Sequence, residues 1–198
     1  MNKKCNYHSC ENTVNSSYIK WNLEVLGPVI MGSKPSEILN ISFNDPMKEK
    51  KLFELKSHFC NCKKISFKVI DQREKGIKIL FLNYSTLKNT LNNKKAINFL
   101  KFLGYPKDYN FDRYLDFLVK KLESNLLPDE IGIFLGYPLK DVLGFMGYGN
   151  YKFQNTKYWR IYGDPNISQQ VYDKFLEHRK QMRELIAANS TEYILKAI

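Results

Sequence analysis

An α+β fold is predicted, with a small, mainly antiparallel sheet packed against several helices and a long amphipathic helix at the C-terminal end. Three observations predict it. Apolar residues recur at helical spacing in several separate segments. Two short apolar runs near the middle, residues 64–70 and 77–82, are joined by a polar turn at 72–76, the pattern of a hairpin. No internal repeat, low-complexity tract or linker divides the chain. With 198 residues, 43% hydrophobic and 14% aromatic, there is enough apolar side chain for one core. Residues 17–198 are therefore expected to form a single domain behind a flexible arm, residues 1–16, which carries almost nothing apolar.

The elements follow in order. Tyr18, Trp21, Leu23, Val25 and Leu26 fit a helix over 18–26, with Gly27 and Pro28 expected to stop it. Gly32, Ser33 and Pro35 make a loop. Residues 38–43 alternate as a strand would, and 47–60 return to helical spacing through Leu52, Phe53, Leu55 and Phe59. After the hairpin come helices over 94–103, ended by Gly104 and Pro106, and over 111–123, capped by Asn110 or Asp112. Two short helical pieces, 129–135 and 139–146, are split by Gly136-Tyr137-Pro138, and a glycine-rich loop at 144–150 precedes a strand over 158–162. The last helix spans 168–188, its inward stripe being Val171, Phe175, His178, Met182 and Leu185. His178 reads as a partly buried packing residue. The helices are expected on one side of the sheet.

Charge and cysteine usage bound the function. No apolar run approaches the length of a membrane span. The N-terminal lysines are followed by polar residues where a signal peptide needs an apolar stretch, so no membrane association and a cytoplasmic location are expected. A net charge of +11 would favour nucleic acid as a partner, because neutralising phosphates releases counterions. The basic residues are mostly scattered lysines, however, and Lys48, Lys50, Lys51, Lys63 and Lys64 are the nearest to a patch. All 4 cysteines fall in two short stretches with histidine, Cys5-x-x-His8-x-Cys10 and His58-x-Cys60-x-Cys62. Thiolates and imidazoles suit tetrahedral zinc, so these six residues are candidate ligands and zinc the candidate cofactor. The competing reading makes Cys60 a helix-end residue and leaves Cys5 and Cys10 in the arm.

Residues 129–146 also have a helix-turn-helix pattern, with Gly132 where two helices would cross and Gly136 in the turn. A DNA-reading helix needs Arg, Lys, Asn or Gln directed at bases and phosphates. Here the second helix offers Lys140 beside Asp141 on an otherwise apolar surface, so packing explains the unit better than base reading. No phosphate-gripping glycine loop, nucleophile elbow or HExxH is present, and Gly144-Phe145-Met146-Gly147-Tyr148-Gly149 follows a helix, the wrong context for dinucleotide binding.

Three segments, 27–35 (GPVIMGSKP), 127–142 (LPDEIGIFLGYPLKDV) and 158–164 (YWRIYGD), resemble the uncharacterised bacterial family DUF3793. The resemblance extends over 24–43, 77–91 and 126–164, and it implies a lineage with no established activity. One departure stands out: the family commonly places a His-Cys pair ahead of the position matching Gly27-Pro28, where this chain has Val25 and Leu26. Any role of that thiol in relatives is absent at this position.

The polar and aromatic residues of these segments are the candidate ligand- or partner-binding positions: Lys34, Asp129, Glu130, Tyr137, Asp141, Trp159, Arg160, Tyr162 and Asp164. Plainer roles compete. Carboxylates following a proline favour a helix dipole, Asp164 can cap a helix, and the aromatic residues can be core. The favoured function is therefore a non-catalytic binding or accessory protein for a protein or small-molecule partner. The alternatives are nucleic-acid binding through 129–146 and a small enzyme with its site near Glu130 and Arg160.

Overall fold

The computed structural model of the chain describes residues 17–60, 62–71, 76–124 and 127–197. Its architecture is α+β. The centre is β3 (Ile77–Leu82), flanked by β1 (Ser36–Ile41) and β2 (Ser66–Asp71) in a three-stranded antiparallel sheet of order β1-β3-β2. Glu37 and Phe67 both register with Phe81 across the two ladders.

Helices cover both faces of this sheet, not one as the pattern suggested. Ile77, Ile79 and Phe81 point into a core built with α1 (Ser17–Ile30), α2 (Lys48–Phe59), α8 (Pro165–Ala188) and α9 (Thr191–Ala197). Leu80 and Leu82 point the other way, into a core with α3 (Tyr84–Thr90), α4 (Lys94–Phe102), α5 (Phe111–Glu123), α6 (Ile131–Phe134) and α7 (Leu139–Phe145). The reason is written in β3, Ile-Lys-Ile-Leu-Phe-Leu: a strand wet on one face alternates with polar residues, whereas a central strand buried on both is almost continuously apolar. Each such side chain buried contributes roughly 1.5–3 kcal/mol.

The first helix runs through the residues expected to stop it. Pro28 lies inside α1, where its missing N–H forfeits one helical bond, and the helix continues to Ile30. Gly27 serves packing instead. A Cβ there would lie 2.7 Å from the Met182 Cβ and 3.0 Å from the His178 carbonyl oxygen, so its absence lets α8 lie directly on α1. The stop comes at Gly32, whose φ of 80° opens a Schellman motif in which Ser33 N donates to Pro28 O at 2.9 Å.

Caps fix the other helices. The Asn110 side chain accepts from Arg113 N, and Asn83 and Asn93 act in the same way for α3 and α4. Asp164 caps α8 by accepting from Asn166 N at 3.0 Å, with Pro165 in the first helical turn. Along α8, Phe175 and Met182 are buried, but Leu185 is 42% exposed and Ile186 takes the inward position. Near Gly144 a second, two-stranded antiparallel sheet pairs β4 (Phe153–Thr156) with β5 (Arg160–Tyr162). Among the described residues no helix is long and apolar enough to cross a membrane.

Candidate functional site

Asp141, 1% exposed on α7, is the most heavily bonded side chain of the predicted set. One carboxylate oxygen accepts from Trp159 Nε1 at 2.8 Å and Ser168 Oγ at 2.6 Å, the other from Tyr162 N at 2.8 Å and Lys140 Nζ at 2.7 Å. Lys140 in turn donates to Tyr162 O at 2.6 Å and Ser168 Oγ at 2.7 Å. An ammonium has three donors and a carboxylate about four acceptor sites, so this group is saturated. It ties α7, β5 and α8 together. Gly144 completes the contact, because a Cβ there would stand 2.4 Å from the Tyr162 Cγ.

Glu130 is likewise engaged. It accepts from Lys121 Nζ and from the Tyr105 hydroxyl at 3.2 Å. Burial first, and then the Glu130 charge, push the Tyr105 phenol far above its ordinary range, so that it remains a donor. Glu130 therefore faces Lys121 rather than Arg160.

Of the remaining candidates, Lys34, Asp129, Tyr137, Trp159 and Arg160 line two cavities. The smaller, about 280 Å³, is mainly apolar, with Gly132, Val142 and Trp159 in its walls and Asp129 and Arg160 among its lining residues. The Arg160 guanidinium lies over the Phe145 ring, 5.7 Å from its centroid. The larger, about 460 Å³, lies between α1, α8 and β1 and is lined by Lys34, Glu37, Ile38, Tyr137, Phe175 and Arg179, among others. Tyr137 and Tyr158 line both. Tyr137 stacks on Trp159 with centroids 4.4 Å apart, forming the partition. Its phenol is pushed well above the ordinary range, first by burial and then by the neighbouring Glu37 charge.

Lys34 is the unusual member of the larger cavity. It is 3% exposed, and its ammonium sits 5.6 Å from the Tyr137 centroid and 5.5 Å from that of Phe175. Its hydrogen-bond partner among the described residues is Glu37 Oε2 at 2.6 Å, which leaves two of three donors turned to rings and cavity. Two contacts place it: Lys34 N donates to Pro28 O at 3.0 Å, and the Pro35 ring packs on Gly136. At Gly136 a Cβ would be 2.5 Å from the Pro35 Cδ, and φ is +81°; only glycine lets the Tyr137 loop close on this turn.

The cavity runs along a strand edge that is open among the described residues, where β1 pairs with β3 on one side alone. The bond from Asn83 N to Pro35 O sets the phase of that ladder, and alternation then turns the backbone groups of Ile38 and Asn40 away from β3. Ile38 N donates to the other oxygen of Glu37 at 3.0 Å. Across the cleft, Arg179 donates to Glu24 at 3.0 Å and to the Tyr158 hydroxyl at 3.1 Å, and Arg183 donates to the same Glu24 oxygen at 2.8 Å. These bonds, Arg183 first, hold the Glu24 carboxyl below its usual range.

Of the nine predicted positions, Lys34 and Tyr137 line the larger cavity, and Asp129, Tyr137, Asp141, Trp159 and Arg160 line the smaller. Glu130, Tyr162 and Asp164 line neither. Sequence reasoning passed over Glu37, Arg179, Tyr158 and Trp21. The available signal was Glu37, three residues after a lysine entering a strand; Arg179 is joined to the cleft only by tertiary packing.

Among the described residues no group of three or more His, Cys, Asp or Glu side chains is arranged to hold a metal. His58 has its Nε2 buried, and burial lowers its pKa; Cys60 Sγ donates to Ser57 O at 3.3 Å. Cys62 is partly buried against the α1–α2 core, and Cys5, His8 and Cys10 lie outside the described residues. In the helix-turn-helix segment, α6 spans Ile131–Phe134, and the one lysine of α7 is consumed inside the Asp141 group. No cation of α7 is left to face a groove.

No curated protein and no solved structure matches the chain. The model of the family described as protein of unknown function DUF3793 matches residues 23–195, a span holding all nine predicted positions and the lining of both cavities except Trp21. The chain belongs to the DUF3793 family.

Proposed function

We propose that the protein is a non-catalytic binding protein whose ligand site is the larger cavity beside β1. The observation that carries this reading is Lys34: a buried ammonium with one carboxylate partner, facing aromatic rings and a cavity of about 460 Å³, within the size range of small-molecule sites. Such a group offers donors to a carboxylate or another anionic acceptor. Trp21, Tyr137 and Tyr158 supply apolar faces for the rest of the ligand.

Binding is favoured over catalysis by how the buried acids are used. Asp141 and Glu130 are both held by internal donors that tie elements of the fold together, which supports a structural use of each. In this reading residues 17–198 act as one body in the cytoplasm, and Asp129 and Arg160 line a secondary apolar recess. No feature of α6 and α7 favours nucleic acid.

A thermal-shift screen tests the reading, since a ligand that binds only the folded state raises Tm. Small organic acids and peptides with free carboxylates are expected to raise the Tm of the wild type and to leave Lys34→Met unmoved. Equal shifts in both proteins, or none in either, would place the function elsewhere.

A further inference from the structure

The geometry points to a specific ligand class for this cleft: the C-terminal end of an extended peptide, added as an antiparallel strand to the open edge of β1, its terminal carboxylate taking the place now held by Glu37. This inference rests on the reading of the larger cavity as the binding site.

The argument begins with what Glu37 does. Its carboxylate joins the buried ammonium of Lys34, at 2.6 Å, to the outward backbone N–H of Ile38, at 3.0 Å. A carboxylate thus already bridges a cation and a strand-edge donor inside the cleft. Glu37 has 21% of its side chain exposed, so rotation into solvent would uncover both donors. It serves as a built-in plug, in the manner of the charged residues that guard sheet edges.

Strand addition is the binding mode that fits the rest of the cleft. The outward groups of Ile38 and Asn40 lie on the cavity's own wall, and main-chain hydrogen bonds to such an edge give affinity without demanding a particular sequence. Direction follows from Lys34, which stands two residues before the first residue of β1. A terminal carboxylate placed there runs the peptide against β1, the orientation already used by β3. Alternate peptide side chains would then turn toward Tyr137 and Phe175 or out to solvent.

The test is fluorescence anisotropy with a library of short N-acetylated peptides bearing free C-termini. The best binder is remade with an amidated C-terminus and, separately, with alternate backbone amides N-methylated. Amidation should weaken binding about tenfold or more, by removing charge-assisted bonds, and N-methylation should abolish it. Glu37→Ala should tighten binding by about tenfold because the competitor is gone. A merely structural Glu37 would give the opposite sign. Lys34→Met should lose binding, its fold being checked by circular dichroism. Absence of peptide binding to both wild type and Glu37→Ala, equal binding of the amidated peptide, or weaker binding by Glu37→Ala would overturn the inference. If benzoate binds in a Lys34-dependent way while no peptide does, strand addition fails and the cleft survives as the site. If neither binds, both fail.

Discussion

Lys140–Asp141 and Lys34–Glu37 are both lysine–carboxylate pairs shielded from water, and both adjoin the Tyr137–Trp159 stack, yet their surroundings are opposite in kind. Around Asp141 every acceptor site meets a donor and every proton of Lys140 meets an acceptor. Around Lys34 a single carboxylate shares the space with two rings and a cavity. Burial is common to the two. What separates them is how fully the charge is answered: complete hydrogen bonding marks a joint of the architecture, and incomplete hydrogen bonding beside open volume is the feature on which the proposed ligand site rests.

The largest expected effect breaks the joint. Asp141→Ala leaves Lys140 without its counter-charge and strips Trp159, Ser168 and Tyr162 of their acceptor, so urea denaturation should show a loss of about 3–5 kcal/mol. A loss well under that would mean Asp141 is no structural centre. Trp159→Phe keeps the ring stacked on Tyr137 but deletes the 2.8 Å bond to Asp141, for an expected loss of about 1.5–3 kcal/mol in the same experiment. At the cleft, Lys34→Met replaces an ion by an apolar chain of similar volume, and Glu37 can turn to water. Stability should change by less than about 1 kcal/mol, although ligand binding is lost. A large loss there would erase the contrast between the pairs.

The smallest effect concerns acid. The Glu24 carboxyl is held below its ordinary 4.5 by hydrogen bonds from Arg183 and Arg179. A depressed folded value means that its contribution is fully present above the unfolded value and is lost as pH falls through the folded one. Urea midpoints recorded from neutral to acid pH should therefore decline less below pH 4.5 for Glu24→Gln than for wild type. Identical acid limbs would show that this half-buried cluster contributes nothing.

Local chemistry was legible in the residues, and tertiary pairing was not. Asn110 announced a cap, the spacing from Phe111 announced α5, and the apolar run at 77–82 announced β3. The same run also carried the news that both sheet faces are covered, in its lack of polar alternation, but short runs are ambiguous by periodicity alone. Pro28 misled, because a single missing bond is tolerated when Gly27 lets α8 pack so closely. β4 escaped notice because all four of its residues are exposed and carry no apolar alternation. The site divides in the same way. Lys34 and Tyr137 stood in recognisable segments, whereas Arg179 reaches Glu24 across 155 positions of chain, a pairing no local pattern encodes.

The stack of Tyr137 on Trp159 has a further consequence for signalling within the molecule. One side of that pair borders the larger chamber, and the indole N–H on the other side is anchored to Asp141. Under the proposed binding reading, a guest against the phenol ring would meet the junction of α7, β5 and α8 through the indole. With Trp21, which itself lines the larger chamber, replaced by Phe, the emission of Trp159 would report on that chamber through the stacked phenol.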